Sequence, residues 1–298
     1  MSVKVSIINE EVVDLDFSSQ VATSASGNKF QANYFMLFIG DESAKVFPHL
    51  EGKPGFYPSF IEFRDRVLEE VPLDASVLII GTRLSSLDCV AALRERKHKG
   101  KMVMASRSGL LPGTNRELVM QPLQHFDGNF EEGKDVKGED LVRMLEMEMS
   151  SFFEKKIVLK DFIGYYQDPV KRLKIELDRL SKDKKVYTDF MVNVFIVYQS
   201  YWKRMSMEER QRFYSDYQFI MTNIFQNVPK ENVSRFLQIM DRGQLQVLRG
   251  LKDVEFTSGG KFKAKFEGGQ PDLEFDVAIA AVGHERDFRK INKPLYRQ

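Results

Sequence analysis

Two short clusters in this chain have the residue types to hold a phosphate. The first is Gly81-Thr82-Arg83-Leu84, set between the apolar run Val77-Leu78-Ile79-Ile80 and a helical pattern from Leu84 to His98. The second is Ser106-Arg107, which follows the strand-like run from Lys101 to Ala105. A glycine at a strand end lets the backbone turn sharply. The N–H groups at the start of the next helix then meet an anion with the positive end of the helix dipole. Strand, glycine turn, helix and strand in about thirty residues make the βαβ unit that binds dinucleotides.

The glycine pattern of such units is G-x-G-x-x-G. Here Gly81 holds the first position, Arg83 the second and Ser86 the third. The second glycine normally lets a pyrophosphate approach the backbone. A guanidinium there either swings out to pair with phosphate or fills the space. The second strand ends in Ser106-Arg107 and no acid. An Asp or Glu at that point would bond a ribose 2′-hydroxyl, whereas a serine and an arginine suit a 2′-phosphate. Any dinucleotide is therefore expected to be NADP(H) rather than NAD(H). His284 follows Gly283 at the end of another apolar run, where α/β sheets place ligands, and is a further candidate contact. Asp88 is a candidate to bond backbone or to meet Arg107.

Other chemistry finds no support. There is no nucleophile elbow, no His-Glu-x-x-His and no Gly-Lys-Ser/Thr phosphate loop. The four histidines, His49, His98, His125 and His284, are scattered, and no metal is expected. A single cysteine, Cys89, excludes an internal disulfide and a cysteine-based zinc site. The net charge of +1 points to neither nucleic acid nor an acidic membrane surface. No signal-peptide pattern opens the chain, and no apolar run reaches the roughly eighteen residues of a membrane span. The expectation is a soluble, cytoplasmic protein. Because a redox cofactor carries its own chemistry, the lack of catalytic residues neither supports nor excludes an oxidoreductase.

The elements that must position these clusters form a repeated pattern. Val3 to Ile7, Val12 to Phe17, Gln20 to Ser26 and Lys29 to Ala32 alternate like a β-meander, with Gly27-Asn28 as a turn. Tyr34 to Ile39 is a continuous apolar run before Gly40, which predicts a strand buried on both faces. The pattern returns as Leu245 to Leu248, Asp253 to Thr257 and Lys261 to Phe266, then Phe275 to Val282 before Gly283. Between Gly40 and Ser76 lies a connector, loop-like from His49 to Pro58, with a helix from Ser59 to Glu70. From Gly138 to Arg242 the pattern is helical, with a capping box at Ser206-Met207-Glu208-Glu209 and Pro229 in a first turn. Its Phe190, Phe195 and Phe213 stand at helical spacing and are expected to fill a core. This divides the chain into 1–70 (meander and connector), 71–136 (βαβ), 137–243 (helical insertion) and 244–298 (returning meander and final strand). The fold class is α/β, a Rossmann-like domain with a β-meander and a large helical insertion.

Ile79, Ile80, Gly81, Thr82, Leu84, Asp88, Ser106, Arg107 and Gly109 to Pro112 follow a pattern of Ile-Ile-Gly-Thr-Gly-Leu, Asp and Ser-Arg-x-Gly-Leu-Leu-Pro. Trp202, Ser206, Glu209, Arg210, Arg212 and Phe213 add a second, looser match. On these residues the chain resembles the bacterial FAD/NAD(P)-binding oxidoreductases, flavoproteins with two dinucleotide sites. The resemblance implies that Gly81, Thr82, Arg83 and Leu84 face a pyrophosphate, that Ser106 and Arg107 hold a 2′-phosphate, and that hydride passes from NADPH to a flavin. It also implies that the first forty residues are the closing part of an FAD-type domain whose glycine-rich βαβ unit is missing. FAD would then be held by a partner chain or another segment, and a homo-oligomer is a further expectation. The alternative is a non-catalytic binding or interaction module that has lost its dinucleotide.

Overall fold

The computed structural model describes residues 4–38, 43–117, 119–131, 135–161 and 168–285. In chain order the strands and helices begin with β1 (Val12–Asp16), β2 (Val21–Ser24), β3 (Lys29–Gln31) and β4 (Phe56–Tyr57). Next come α1 (Phe60–Glu70), β5 (Val77–Ile80), α2 (Leu84–Glu95), β6 (Met102–Ser106) and β7 (Gly113–Asn115). The helical stretch supplies α3 (Gly138–Phe153), α4 (Pro169–Ser181), α5 (Met191–Trp202) and α6 (Met207–Phe225). It is followed by β8 (Asn227–Pro229), α7 (Lys230–Asp241), β9 (Leu245–Arg249), β10 (Leu251–Phe256), β11 (Phe262–Phe266), β12 (Leu273–Phe275) and β13 (Val277–Ala280). The architecture is mixed α/β. It divides into two units, Phe47–Val282 and Met1–Val46 with Gly283–Gln298.

The larger unit is built on a five-stranded parallel sheet in the order β4-β13-β5-β6-β9. Its inner strands are apolar without alternation because both faces are covered. Every residue of β5 and β13 is buried. On one face Val77, Ile79, Met104 and Ile279 meet Phe63 of α1, Cys89, Val90 and Leu93 of α2, and Phe236 and Leu237 of α7. Helix α1 starts where expected: the Ser59 side chain caps it, its oxygen accepting the Glu62 N–H at 3.1 Å. The returning meander is the antiparallel sheet β10-β11-β12. The helices α3, α5 and α6 close around a second core that includes Leu141, Leu145, Phe190, Val194, Val197 and Phe213.

Several expectations are corrected. The stretch His49 to Pro58, loop-like by its prolines and glycines, contains a 3-10 turn (Pro48–Leu50) and β4, an edge strand of the main sheet. The helix after Gly81 has apolar Leu84, Leu87, Val90, Ala91 and Leu93 at the spacing of one core side, yet the core face of α2 is Ser86, Cys89, Val90 and Leu93, while Leu84 and Ala91 are exposed. Phe195 is also exposed, because the core side of α5 is Asn193, Val194, Val197 and Tyr201. Pro229 stands at the cap of α7, just before its first turn. Only half of the Ser206 capping box forms. The Glu209 N–H bonds the Ser206 hydroxyl, but the Glu209 carboxylate accepts from Gly138 N–H at 3.1 Å instead. A small parallel ladder, β7 with β8, was not foreseen.

In the smaller unit, β1, β2 and β3 form an antiparallel meander, with Gly27 turning at φ 85°. Residues 4–8 and 34–38 carry no strand, against the pattern of Val3 to Ile7 and Tyr34 to Ile39; Val3, Ile39 and Gly40 lie outside the described residues. A strand needs a neighbour to bond its backbone. Among the described residues of this unit, none runs alongside 34–38.

Among the described residues, no helix is long and apolar enough to cross a membrane.

Candidate functional site

The Gly81 corner joins β5 to α2, and its geometry explains the residue. Gly81 has φ +129°, a conformation that side chains rarely adopt. A Cβ there would fall well inside contact distance of the Ala281 carbonyl oxygen, beyond the end of β13, and 2.8 Å from Ser86 Oγ. Ser86, at the third glycine position, is fully buried. Its hydroxyl donates to Ala281 O at 3.4 Å, so a small polar residue ties the helix to the neighbouring strand where glycine would merely allow close packing. Arg83 is the helix cap, with φ −105° and ψ −162°. That is extended backbone, open to any residue, so the turn itself does not demand glycine at this position. The Arg83 side chain itself does not cap the helix. The first N–H groups of a helix have no partners within it, and those of α2 lie at the carboxyl end of a parallel sheet, the usual place for a ligand.

Thr82 points inward and is 1% exposed. Its hydroxyl donates to the Leu110 carbonyl at 2.7 Å and lies 2.9 Å from Ser106 Oγ. A carbonyl can only accept, so the Thr82 proton goes to Leu110 and the Ser106 proton goes to Thr82. Ser106 Oγ in turn accepts the Gly109 N–H at 2.9 Å. This relay fixes the turn that follows β6. Farther along, Arg172 and Glu176 of α4, each almost wholly buried, fasten the same segment. Arg172 donates to the Leu111 carbonyl at 2.8 Å and also to that of Pro112, and Glu176 accepts from Thr114 N–H at 2.8 Å. In the sequence these two residues are two charges among many in the helical stretch from Gly138 to Arg242. Only their burial shows what they do.

Arg107 is exposed at the end of β6, and its carbonyl accepts the Gly250 N–H at 3.0 Å. The ladder between β6 and β9 sets Arg249 in register with Ser106. No spacing in the sequence pointed to Arg249. Leu84 and Asp88 face another way. They line a cavity of about 720 Å³ between α2 and α7, with Leu87, Phe236 and Ile239 among its apolar walls. Partial burial there raises the Asp88 carboxyl above the ordinary aspartate range. His284 belongs to the smaller unit, where it forms an isolated antiparallel bridge with Ser43. The larger unit thus brings together Gly81, Thr82, Arg83, Ser106 and Arg107 at the ends of adjoining strands.

No protein-family model matches the sequence, and no curated protein matches it. Solved structures do. One is DfoA bound to FAD, the cadaverine monooxygenase of desferrioxamine biosynthesis from Erwinia amylovora, with a TM-score of 0.50 and 11% identity over 93% of this chain and 52% of that one. L-lysine 6-monooxygenase from Pseudomonas syringae gives a TM-score of 0.47 and 12% identity over 90% and 49%. The reduced form of ornithine hydroxylase PvdA from Pseudomonas aeruginosa gives 0.43 and 13% identity over 93% and 53%. The chain spans about half the length of these proteins. The match to DfoA shows a shared fold.

Proposed function

We propose that this chain is the NADP(H)-binding part of a flavin-dependent oxidoreductase. The larger unit is read as a Rossmann-like domain with a meander and a helical insertion, and the smaller one as the closing part of an FAD-type domain. The observation that carries the reading is the Gly81 corner: a turn that needs glycine, at the carboxyl end of a buried parallel strand, opening a helix whose N-cap residue does not cap it with its side chain. The residues there fit a dinucleotide. In this reading the N–H groups of Thr82, Arg83 and Leu84 face the pyrophosphate, with the Arg83 guanidinium beside it. Arg107 holds the 2′-phosphate, and Ser106 sets the turn on which that site depends. When bound, NADPH supplies a hydride for a flavin.

A titration of the purified chain with NADPH, followed by nucleotide fluorescence, tests this. Binding should weaken about tenfold in Arg107→Ala, the usual consequence of removing one charge-assisted hydrogen bond of about 1.5 kcal/mol. Wild-type protein that takes up neither NADPH nor NADH would sink the proposal.

A second reading, a non-catalytic interaction module, is favoured by one observation. Tyr34, Met36 and Phe38 are 88%, 76% and 86% exposed. Contiguous apolar surface of this kind marks a contact for another chain, either a second copy or a flavin-holding partner. Self-association measured by light scattering, and its loss on introducing charge at Met36, would support this reading.

A further inference from the structure

Helices α2 and α7 lead into adjacent parallel strands, β6 and β9. They therefore lie side by side on one face of the sheet and run in the same direction. Their carboxyl ends are tied together. The Gln244 amide, just past α7, donates to the His98 carbonyl at 2.7 Å and to that of Gly100 at 3.3 Å. Toward their starts the two helices leave the cavity of about 720 Å³ between them. Its floor is apolar: Val90 of α2 and Val233, Phe236 and Ile239 of α7 are buried, with Leu87 partly so. Pro112, Val228 and Leu173 of α4 wall the end near the start of α7. Thr82 and Arg83 do not line it, so the cavity is separate from the Gly81 corner. Sites for small molecules run to about 300–1,000 Å³, with apolar walls and a few polar groups that orient the ligand.

The charges at the mouth narrow the ligand. Arg94 and Lys97 of α2 and Arg235 of α7 stand there with Asp88 and Glu95 of α2, three cations to two carboxylates, all exposed. Among the described residues no ion pair engages any of the three cations. Lys174 of the neighbouring α4, by contrast, is bonded to Asp241 of α7 at 2.9 Å. The cations come from both walls, whereas both acids come from α2 alone. An anionic group at the mouth thus meets a guanidinium on either side, and each offers a planar fork of donors to a carboxylate. Asp88 lies about 9 Å back along α2 from Arg94, by the rise of six helical residues. Partial burial already pushes its carboxyl above the ordinary aspartate range. That marks its end of the cavity as a poor place for charge and a good one for hydrocarbon.

We propose that the groove between α2 and α7 binds a small aliphatic carboxylate of the medium-chain fatty acid class. Its tail lies on the floor made by Leu87, Val90, Phe236 and Ile239, and its carboxylate sits between Arg94 and Arg235. The proposal does not depend on the dinucleotide reading. Calorimetric titration of the full chain with octanoate tests it, with octyltrimethylammonium and octanol as probes of the same tail. Octanoate should bind more tightly than octanol, and octyltrimethylammonium the least. Arg94→Ala and Arg235→Ala should each weaken octanoate about threefold, and the double variant about tenfold, the scale of exposed ion pairs. Binding of octanol should not change in them. Ala91 is exposed and lines the cavity, so Ala91→Trp fills the groove without entering the core and should abolish binding of all three probes. Circular dichroism and urea unfolding verify that the variants fold. The proposal is overturned if octanoate does not bind, or if Ala91→Trp binds it as tightly as wild type. Tighter binding of octyltrimethylammonium would assign the groove to a cation through Asp88 and overturn it equally. Displacement of octanoate by NADPH would make the cavity part of a dinucleotide site. A dimer that Ala91→Trp converts to monomer, with no octanoate bound, would give the groove to a second copy of the chain.

Discussion

The runs Val277–Ala280 and 34–38 are both apolar, and each is followed within a few residues by a glycine, Gly283 and Gly40. One is strand β13, buried at every position and bonded on both edges, to β4 and to β5. The other is irregular, with Tyr34, Met36 and Phe38 exposed. Hydrophobicity alone does not separate them. The difference lies in their neighbours: a strand exists only where another backbone accepts its N–H groups and donates to its carbonyls. Val77 to Ile80 does this for β13 residue by residue. The same kind of sequence is therefore core in one unit and open surface in the other.

The comparison can be broken by truncation. Ile279→Ala should cost about 4 kcal/mol, because the site is fully buried between strands and helices. Met36→Ala should change stability by less than about 0.5 kcal/mol. Urea unfolding of the two variants measures both, and equal costs would mean that 34–38 is packed in solution. Gly81→Ala sharpens the contrast at the carboxyl end of β13. Its strained φ and the clash with Ala281 should cost about 3 kcal/mol. A fully stable variant would show that the corner can relax. The smallest effect concerns His98, just past α2. It is 6% exposed, and its ring nitrogens lack a hydrogen bond of normal geometry among the described residues. Burial holds its imidazole below the ordinary histidine range. The unfolded chain then takes up the proton first, so stability is complete at neutral pH and falls as the pH drops below about 6.5. A melting temperature followed from pH 7.5 to 5.5 should decline less in His98→Phe than in wild type, while Met36→Ala should follow wild type.

Much of the larger unit was legible because its elements are periodic. The run Val77 to Ile80, the helix after Leu84 and the strand to Ser106 appear at their expected places; of the returning meander the strands at Asp253 and Lys261 do, whereas Leu245–Arg249 joins the parallel sheet and Leu273–Phe275 is the third antiparallel strand. The order of strands in the sheet was not legible. Phe56-Tyr57 is too short to show a period, and its pairing with β13 depends on residues far away in the chain. Thr82 and Ser106 were legible as polar residues near a turn. The direction of their hydroxyls depends on the Leu110 carbonyl, which no side-chain motif announces. Arg83 looked like an obstacle because the motif expects glycine, yet the backbone at that point is ordinary extended chain.

The position of β13 between β4 and β5 has a consequence for how the protein is made. Ser76 and Asp276, which clamp the start of β5 to the segment just before β13, are 200 positions apart. As the chain leaves the ribosome, β5 waits with one edge open while the helices between are synthesised, and β4 waits without its partner. Contacts of such long range slow folding and expose sheet edges in the meantime. The edges of β4 and β5 therefore stay unpaired until the strand that lies between them has been made.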